Sequence, residues 1–368
     1  MEKPLTKNID FTRGPLSLKD YEKAGGYQSV KKVLKELESK QVQQIVKDSN
    51  LKGRGGAGFG TGMKWGFVPM GEDASKTKYL VCNADEMEPG TFKDRVLLEG
   101  NPHQLIEGMI VSAYAIQANA AYIFLRWAYK VSASLLEKSI AEAYEAGYLG
   151  KNILGSGYNL EMHLHTSVGR YMCGEETGLL NALEGKRAQP RAKPPFPQVS
   201  GLFGKPTIVN NVETLSCVPH IINNGAAWFK GLSLSDDSGT KIYGVSGKVK
   251  KPGTWELPMG GTMIILDDKT CPVGMVLNLQ HFFAQESCGW CTPCREGLPW
   301  VEKTLRAIEE GNGKMEDLDT LSFHTHYLGP GNTFCALAPG AMEPLQSSLK
   351  YFKDDYEKHI KEQRCPWR

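Results

Sequence analysis

This sequence predicts an α/β fold with a largely parallel sheet, followed by a small helical bundle. The first half of that expectation rests on alternation: short apolar runs bounded by polar residues alternate with helically spaced segments between Lys78 and His165. Such alternation favours parallel strands, because the intervening helices supply the crossovers. The second half rests on periodicity. From Val273 onward Met275, Val276, Leu279, Phe282 and Phe283 share one face, as do Leu298, Val301, Leu305 and Ile308, and later Leu345, Leu349 and Phe352. Three or four helices packing on one another satisfy that pattern.

In chain order, Lys19 to Asp48 reads as two short polar helices, which lead into a glycine loop, GRGGAGFGTGMKW, at Gly53 to Trp65. A buried strand follows at Lys78–Glu86, then a helix at His103–Gln117 and a strand at Ala121–Arg126. A helix over about Lys130–Tyr148 and a strand at Asn159–His165 continue the alternation. The stretch RAQPRAKPPFPQVSG, Arg187–Gly201, is too proline-rich for helix or central strand. Thr240–Pro258 reads as a hairpin.

The 368 residues suffice for two or three domains, and a net charge of +2 gives no reason to expect nucleic acid or an anionic membrane as partner. The N-terminal residues lack the apolar core of a secretory signal, and acids among the bases argue against a transit peptide. The uncharged run Gly108–Leu125 is interrupted by Gln117 and Asn119, which fits a buried helix and then a buried strand better than a membrane span. Nine cysteines, an odd number, are expected to be reduced and cytosolic, serving metal or packing.

Among them, Cys288, Cys291 and Cys294 have the spacing C-x2-C-x2-C, with Cys335 as a remote fourth. Four thiolates suit tetrahedral zinc or a [4Fe–4S] cluster, and three evenly spaced cysteines with one distant partner favour the cluster. Cys82, Cys173, Cys217, Cys271 and Cys365 are scattered and read as structural or incidental.

The glycine loop satisfies G-x-G-x-x-G but follows a polar helical stretch, not a strand, so it fails the context of a Rossmann fingerprint. No Gly-Lys-Ser/Thr follows, so it is no Walker loop either. Its glycines could still aim backbone N–H groups at phosphate oxygens, with Arg54 and Lys64 adding charge. A plain surface loop has the same composition. Asp85, Glu86 and Glu88 stand at the expected end of the first strand, Tyr171, Glu175 and Glu176 after another, and Asn210, Asn211 and Thr214 in PTIVNNVETL. Together these amide, hydroxyl and carboxylate groups suit a flavin and a nicotinamide nucleotide.

The motifs GRGGAGFGTGMKW, CNADEMEPGTFKDR, YMCGEET, KPPFP, GKPTIVNNVETL and ESCGWCTPCR, in this order, resemble those of the NADH-oxidising flavoprotein subunit of respiratory complex I, NADH:quinone oxidoreductase. The resemblance runs from about Tyr21 to Tyr356. It implies a Rossmann-like domain binding FMN and NADH over residues 1–239, a shortened β-grasp-like remnant over 240–270, and a helical [4Fe–4S] bundle over 271–368. FMN contacts carry over to Gly53, Arg54, Gly55, Lys64, Asn83, Asp85, Glu86, Tyr171, Glu175, Asn210, Asn211 and Thr214. NADH contacts carry over to Gly56, Phe59, Phe67, Glu88, Glu176 and Phe196, with the three aromatic rings on the adenine and Glu88 beside the nicotinamide. Cluster ligands carry over to Cys288, Cys291, Cys294 and Cys335.

The implied reaction passes hydride from NADH to FMN and then single electrons to the cluster. The implied partners are a thioredoxin-like [2Fe–2S] subunit and a large iron–sulfur subunit. The implied location is peripheral, on the cytoplasmic face of a membrane that the chain does not enter. Two other readings remain at this point: a diaphorase subunit of an NAD-linked hydrogenase or formate dehydrogenase, and a degenerate paralogue without turnover. Three departures from the family pattern stand out. Most of the β-grasp-like domain is absent after Pro258, Arg126-Trp127-Ala128-Tyr129 replaces a glycine- and glutamate-bearing turn, and Ser167-Val168-Gly169 replaces Gly-Ala-Gly. The second is expected to strain its turn.

Overall fold

The computed structural model describes residues 2–259 and 265–368. Three helices, not two, precede the glycine loop: α1 (Leu18–Lys23), α2 (Gln28–Glu36) and α3 (Ser39–Asp48). The extra break falls at Gly25-Gly26, where Gly25 takes φ +92° and a Cβ on Gly26 would lie 2.2 Å from the Tyr21 ring. Helix α4 (Thr61–Gly66) then closes the glycine loop.

The α/β layer consists of β1 (Tyr79–Ala84), α5 (Lys93–Gly100), α6 (Pro102–Ile116), β2 (Ala120–Leu125), α7 (Lys130–Glu145), β3 (Glu161–Thr166), α8 (Glu176–Leu183), β4 (Thr207–Asn211), α9 (Val212–Asn224) and α10 (Ala226–Gly231). Its four strands run parallel in the order β3-β2-β1-β4. The apolar runs of β1 and β2 are near-continuous because both faces are covered there. Leu80, Cys82, Ala84 and Ile123 face the core beneath α6 and α9, whereas Val81, Phe124 and Val209 face Leu179, Leu180 and Leu202. The chain steps outward from β1 to β3, then returns across the sheet to place β4 on the other side of β1. That reversal makes the carboxyl ends of β1 and β4 a topological switch point, the place where open α/β sheets bind ligands in a crevice.

The uncharged run divides as its pattern predicts. α6 stops at Gln117, in the left-handed region at φ +58°, and β2 begins three residues later. No helix among the described residues is long and apolar enough to cross a membrane.

Strands β5 (Thr240–Val245) and β6 (Gly253–Pro258) form the expected antiparallel hairpin. The buried Glu256 ties it to the N-terminal segment by accepting from Leu5 N at 3.1 Å and Thr6 N at 2.8 Å. Part of the expected β-grasp-like remnant, residues 260–264, lies outside the described residues.

The last third holds five helices where three or four were expected: α11 (Pro272–Glu286), α12 (Thr292–Glu309), α13 (Glu316–Tyr327), α14 (Leu337–Tyr351) and α15 (Lys353–Glu362). Val276, Phe283, Leu298, Val301, Leu305, Ile308 and Leu345 form its core as predicted. Phe352 does not join them. It caps α14 and is 39% exposed, because the helix ends one residue earlier.

Candidate nucleotide crevice and cysteine cluster

The glycine loop reaches the switch-point crevice from outside the sheet. Gly53 N donates to Phe59 O at 2.9 Å, Thr61 N to Leu51 O at 2.8 Å, and Arg54 N to Thr214 Oγ1 at 2.8 Å, which fastens the loop to α9. A Cβ on Gly55 would stand 3.2 Å from Asn211 Cβ, so glycine permits the approach to the end of β4. The N–H groups of Gly55, Gly56, Ala57 and Gly58 make no hydrogen bond among the described residues. Successive unpaired donors of this kind suit a phosphate.

Of the two cations expected to add charge there, neither side chain is free. The buried Arg54 guanidinium donates from Nη2 to Ser238 O at 2.7 Å and Thr240 O at 3.1 Å, which anchors the loop to the hairpin. Lys64 Nζ donates to Glu176 Oε2 at 2.7 Å and Val209 O at 2.9 Å.

The carboxylates divide by environment. Asp85 Oδ1 accepts from Ser167 Oγ at 2.9 Å, while Oδ2 is buried without a partner among the described residues. Burial pushes its pKa up to about 6, against the pull of Ser167 and Arg126. Glu86 is committed elsewhere. It accepts from Asp94 N at 3.0 Å, Arg95 N at 3.2 Å and Tyr129 Oη at 3.0 Å, and burial with the nearby Asp94 lifts it to about 7. Glu175 caps α8, accepting from Thr177 N at 2.8 Å and Gly178 N at 2.7 Å. Burial alone would raise Glu176, but Lys64 and Lys193 outweigh it and hold the carboxyl below its usual value.

Asn83 Nδ2 donates to Gly174 O at 2.7 Å, and Asn210 Oδ1 accepts from Trp65 Nε1 at 2.9 Å. Asn211 caps α9 by accepting from Glu213 N at 3.0 Å. Phe59, Phe67 and Phe196 are about half exposed, at 49%, 55% and 54%, so their faces are open to a ring. Phe59 and Phe67 lie 6.4 Å apart, centroid to centroid.

Sequence reasoning missed several participants. Ser167 was read only as a departure, yet it orients Asp85. The turn at 126–129 has no left-handed residue, so the expected strain is not found. Instead Arg126 Nη1 donates to Glu86 O at 2.7 Å and Tyr129 holds the Glu86 side chain, work that an Arg-aromatic pair can do. Lys93 pairs with Asp94 at 2.6 Å and with the buried Glu213 at 3.0 Å beneath the crevice. The acids and the lysine of KDR and VET carried that signal.

Cys288 and Cys291 precede α12, Cys294 lies in its first turn, and Cys335 stands two residues before α14. The four thiols lie close enough to act on one another. Burial first, then Cys291, Cys335 and Cys288, push Cys294 to about 12, and burial with Glu175, Cys288 and Cys291 nearby pushes Cys335 to about 11. Cys294 and Cys335, so disfavoured as free thiolates, gain most from a cationic centre that neutralises them, and a set of four cysteine thiols matches an iron–sulfur cluster.

Tyr171 joins the two sites. Its hydroxyl donates to Glu88 Oε2, and its ring packs edge-on against Phe282 and Phe283 at 5.2 and 5.9 Å. Cys335 is among the groups that raise its pKa, after burial and Glu88.

Comparison with known proteins bears on both sites. Residues 46–220 match the family described as the Nuo51 FMN-binding domain, and residues 274–359 match the iron–sulfur binding region of NADH-ubiquinone oxidoreductase-F. The F subunit of the NADH-quinone oxidoreductase of Salmonella typhimurium is 47% identical over 415 residues, covering 98% of this chain and 93% of that protein. The chain belongs to the family of NADH-quinone oxidoreductase F subunits.

Other members place it further. The F 2 subunit of the NADH-quinone oxidoreductase of Rhizobium meliloti is 47% identical over 422 residues, covering 100% of this chain and 99% of its own. That aligned span of 422 exceeds the 368 residues here by 54, so the relative carries at least that many positions without a counterpart in this chain. Among solved structures, an NAD+-reducing [NiFe]-hydrogenase in the H2-reduced state superposes with TM-score 0.82 at 33% identity, covering 93% of this chain and 65% of that one.

Proposed function

We propose that this chain is the electron-input subunit of an NADH:quinone oxidoreductase, an NADH dehydrogenase with FMN and a [4Fe–4S] cluster. The observation that carries the reading is Tyr171, which links the carboxylate edge of the nucleotide crevice to the core around the four cysteines. FMN held here would supply two-electron acceptance of hydride from NADH and one-electron release towards the cluster. The chain's own residues position and polarise. The N–H groups from Gly55 to Gly58 receive phosphate, and Asp85 Oδ2 accepts from a flavin hydroxyl. Exposed Phe59, Phe67 and Phe196 stack on adenine, and Glu88 orients the nicotinamide.

Gly53, Arg54, Lys64, Asn83, Glu86, Glu175, Asn210, Asn211 and Thr214 act mainly by fixing the loop, the caps and the strand ends on which those contacts depend. Cys288, Cys291, Cys294 and Cys335 hold the cluster. Residues 1–239, 240–270 and 271–368 are the corresponding nucleotide domain, β-grasp-like remnant and cluster bundle. The missing span falls just after Pro258, where WELP runs almost directly into GGTMIILDDKTC. Its partners are a thioredoxin-like [2Fe–2S] subunit and a large iron–sulfur subunit, and it meets a membrane only through them, on the cytoplasmic face. The relatives' naming as subunits of the oxidoreductase supports this assembly.

A second reading, the diaphorase subunit of an NAD-linked hydrogenase, is favoured by the structural likeness to that enzyme but at lower identity, 33% against 47%. The test is an anaerobic visible spectrum of the cluster-reconstituted chain with FMN, before and after NADH. Prompt bleaching of the flavin band is expected. FMN binding without bleaching would show a nucleotide site that does not turn over and would sink the proposal.

A further inference from the structure

Two cysteines that the sequence left as incidental meet a histidine and a glutamate at the far end of the bundle. We propose that Cys271, Glu309, His359 and Cys365 form a closed tetrahedral zinc site, distinct from the iron–sulfur cysteines. One ligand atom from each of the four lies within 4.8 Å of every other. Cys271 Sγ stands 3.2 Å from Glu309 Oε2 and 3.3 Å from His359 Nε2, and Glu309 Oε2 lies 3.2 Å from His359 Nε2. Bonds of about 2.0 to 2.3 Å to a tetrahedral zinc require ligand atoms roughly 3.3 to 3.8 Å apart, so the arrangement is nearly made.

The surroundings prepare each donor. His359 Nδ1 is 2.6 Å from Asp355 O, so that nitrogen carries the proton and Nε2 presents its lone pair to the centre. Gly274 N donates to Cys271 Sγ at 3.2 Å, a bond that favours thiolate. Trp367 stacks on the imidazole with centroids 5.6 Å apart, and Glu309, His359 and Cys365 are all buried. Two backbone features bring the ligands in. Gln363, left-handed at φ +52°, turns the chain after α15 so that Cys365 faces back, and Gly311 allows that turn to pass where a Cβ would meet Gln363 O at 2.1 Å. Without a cation the site is poorly satisfied: the buried Glu309 Oε1 lacks a hydrogen bond among the described residues.

Two thiols, one imidazole and one carboxylate are borderline donors that suit zinc over calcium or magnesium, which take oxygen ligands. Binding displaces the two thiol protons to solvent and leaves the site with one net negative charge. Arg368 Nη2, 3.4 Å from Glu309 Oε1, supplies a matching positive charge. The iron–sulfur cysteines are elsewhere: Cys294 lies in the first turn of α12 and Glu309 ends it, which separates them by about 22 Å along the helix. Cys271 starts α11 just beyond the hairpin, so the metal would staple the bundle's first helix to α12, α15 and the C-terminal residues.

The test is metal analysis of the full chain purified with its cluster. About one zinc per chain is expected besides iron. Cys365→Ser and His359→Gln lose the zinc and keep the iron, whereas Cys288→Ser loses iron and keeps the zinc. Cobalt added to zinc-stripped wild-type protein gives thiolate-to-cobalt charge transfer and the strong visible bands of tetrahedral coordination, with release of about two protons. This readout needs no variant to fold. Wild-type protein holding under about a tenth of a zinc and giving no such cobalt spectrum would overturn the site. So would zinc that survives both Cys365→Ser and His359→Gln yet vanishes in Cys288→Ser, because the iron–sulfur cysteines would then be its holder.

Discussion

Asp85 carries a stability penalty at the position where a ligand is expected. Its carboxyl moves from the ordinary 3.8 to about 6 in the fold because it is buried with only Ser167 as partner on one oxygen. The folded chain therefore retains a proton that the unfolded chain releases between about pH 4 and 6, so stability falls as pH rises through that window and stays lower above it. Asp85→Asn keeps the Ser167 bond and removes the charge. Chemical denaturation of the FMN-free protein at pH 7 should show a gain of about 1 to 2 kcal/mol, with a flatter pH profile from 4 to 6. FMN affinity, measured by fluorescence quenching, should fall about tenfold or more in the same variant. A different logic governs Glu88, whose carboxyl burial raises and whose Oε2 accepts from Tyr171. Glutamine preserves that acceptor, so Glu88→Gln isolates the charge. Its kcat/KM for NADH should drop by on the order of tenfold at unchanged flavin content. An unchanged value would remove Glu88 from the nicotinamide site.

Helix α9 sets the crevice through two contacts: Asn211 caps it and Thr214 receives Arg54 N from the glycine loop. It lies against α6 so closely that a Cβ on Gly108 would meet Leu215 O at 2.1 Å. A carbonyl cannot move aside as a side chain can. Gly108→Ala should destabilise the chain by about 3 kcal/mol and weaken FMN binding with it, seen as paired shifts in Tm and flavin content. Elements of this kind differ in how readable they were. β1 and β2 were legible because burial on both faces demands apolar runs, and β3 because Met162 and Leu164 alternate with polar residues along an edge strand. β4 was not, because Asn210 and Asn211 make its end look like a polar loop. Glu86 and Glu175 accept from helix N-terminal N–H groups, and a sequence cannot separate that role from a ligand contact because both use the same residue types. Cys271 and Cys365 read as scattered because only the folding of α11, α12 and α15 brings them together. The iron–sulfur cysteines were readable because three of the four are local in sequence.

Across the whole molecule, two separately cored halves meet on a narrow seam. Met172 inserts into the bundle core, Tyr171 packs on Phe282 and Phe283, and Arg187 Nη2 donates to Cys288 O at 3.0 Å. Glu286 is the polar centre of this seam. Its Oε2 accepts from Tyr171 N at 3.1 Å and faces Arg170 Nε at 3.4 Å. Each half buries its own core, so removing the Glu286 carboxylate should leave both folded and loosen only their spacing. Positional error of about 1 Å can slow a reaction a hundredfold. In stopped-flow measurements, Glu286→Ala should therefore bleach flavin with NADH at the wild-type rate while cluster reduction, followed by its own spectrum, slows about tenfold. Glu286→Gln keeps the acceptor for Tyr171 N and should recover most of that rate. Cluster reduction at the wild-type rate in Glu286→Ala would mean that the apolar contacts of Tyr171 and Met172 suffice to hold the halves in register.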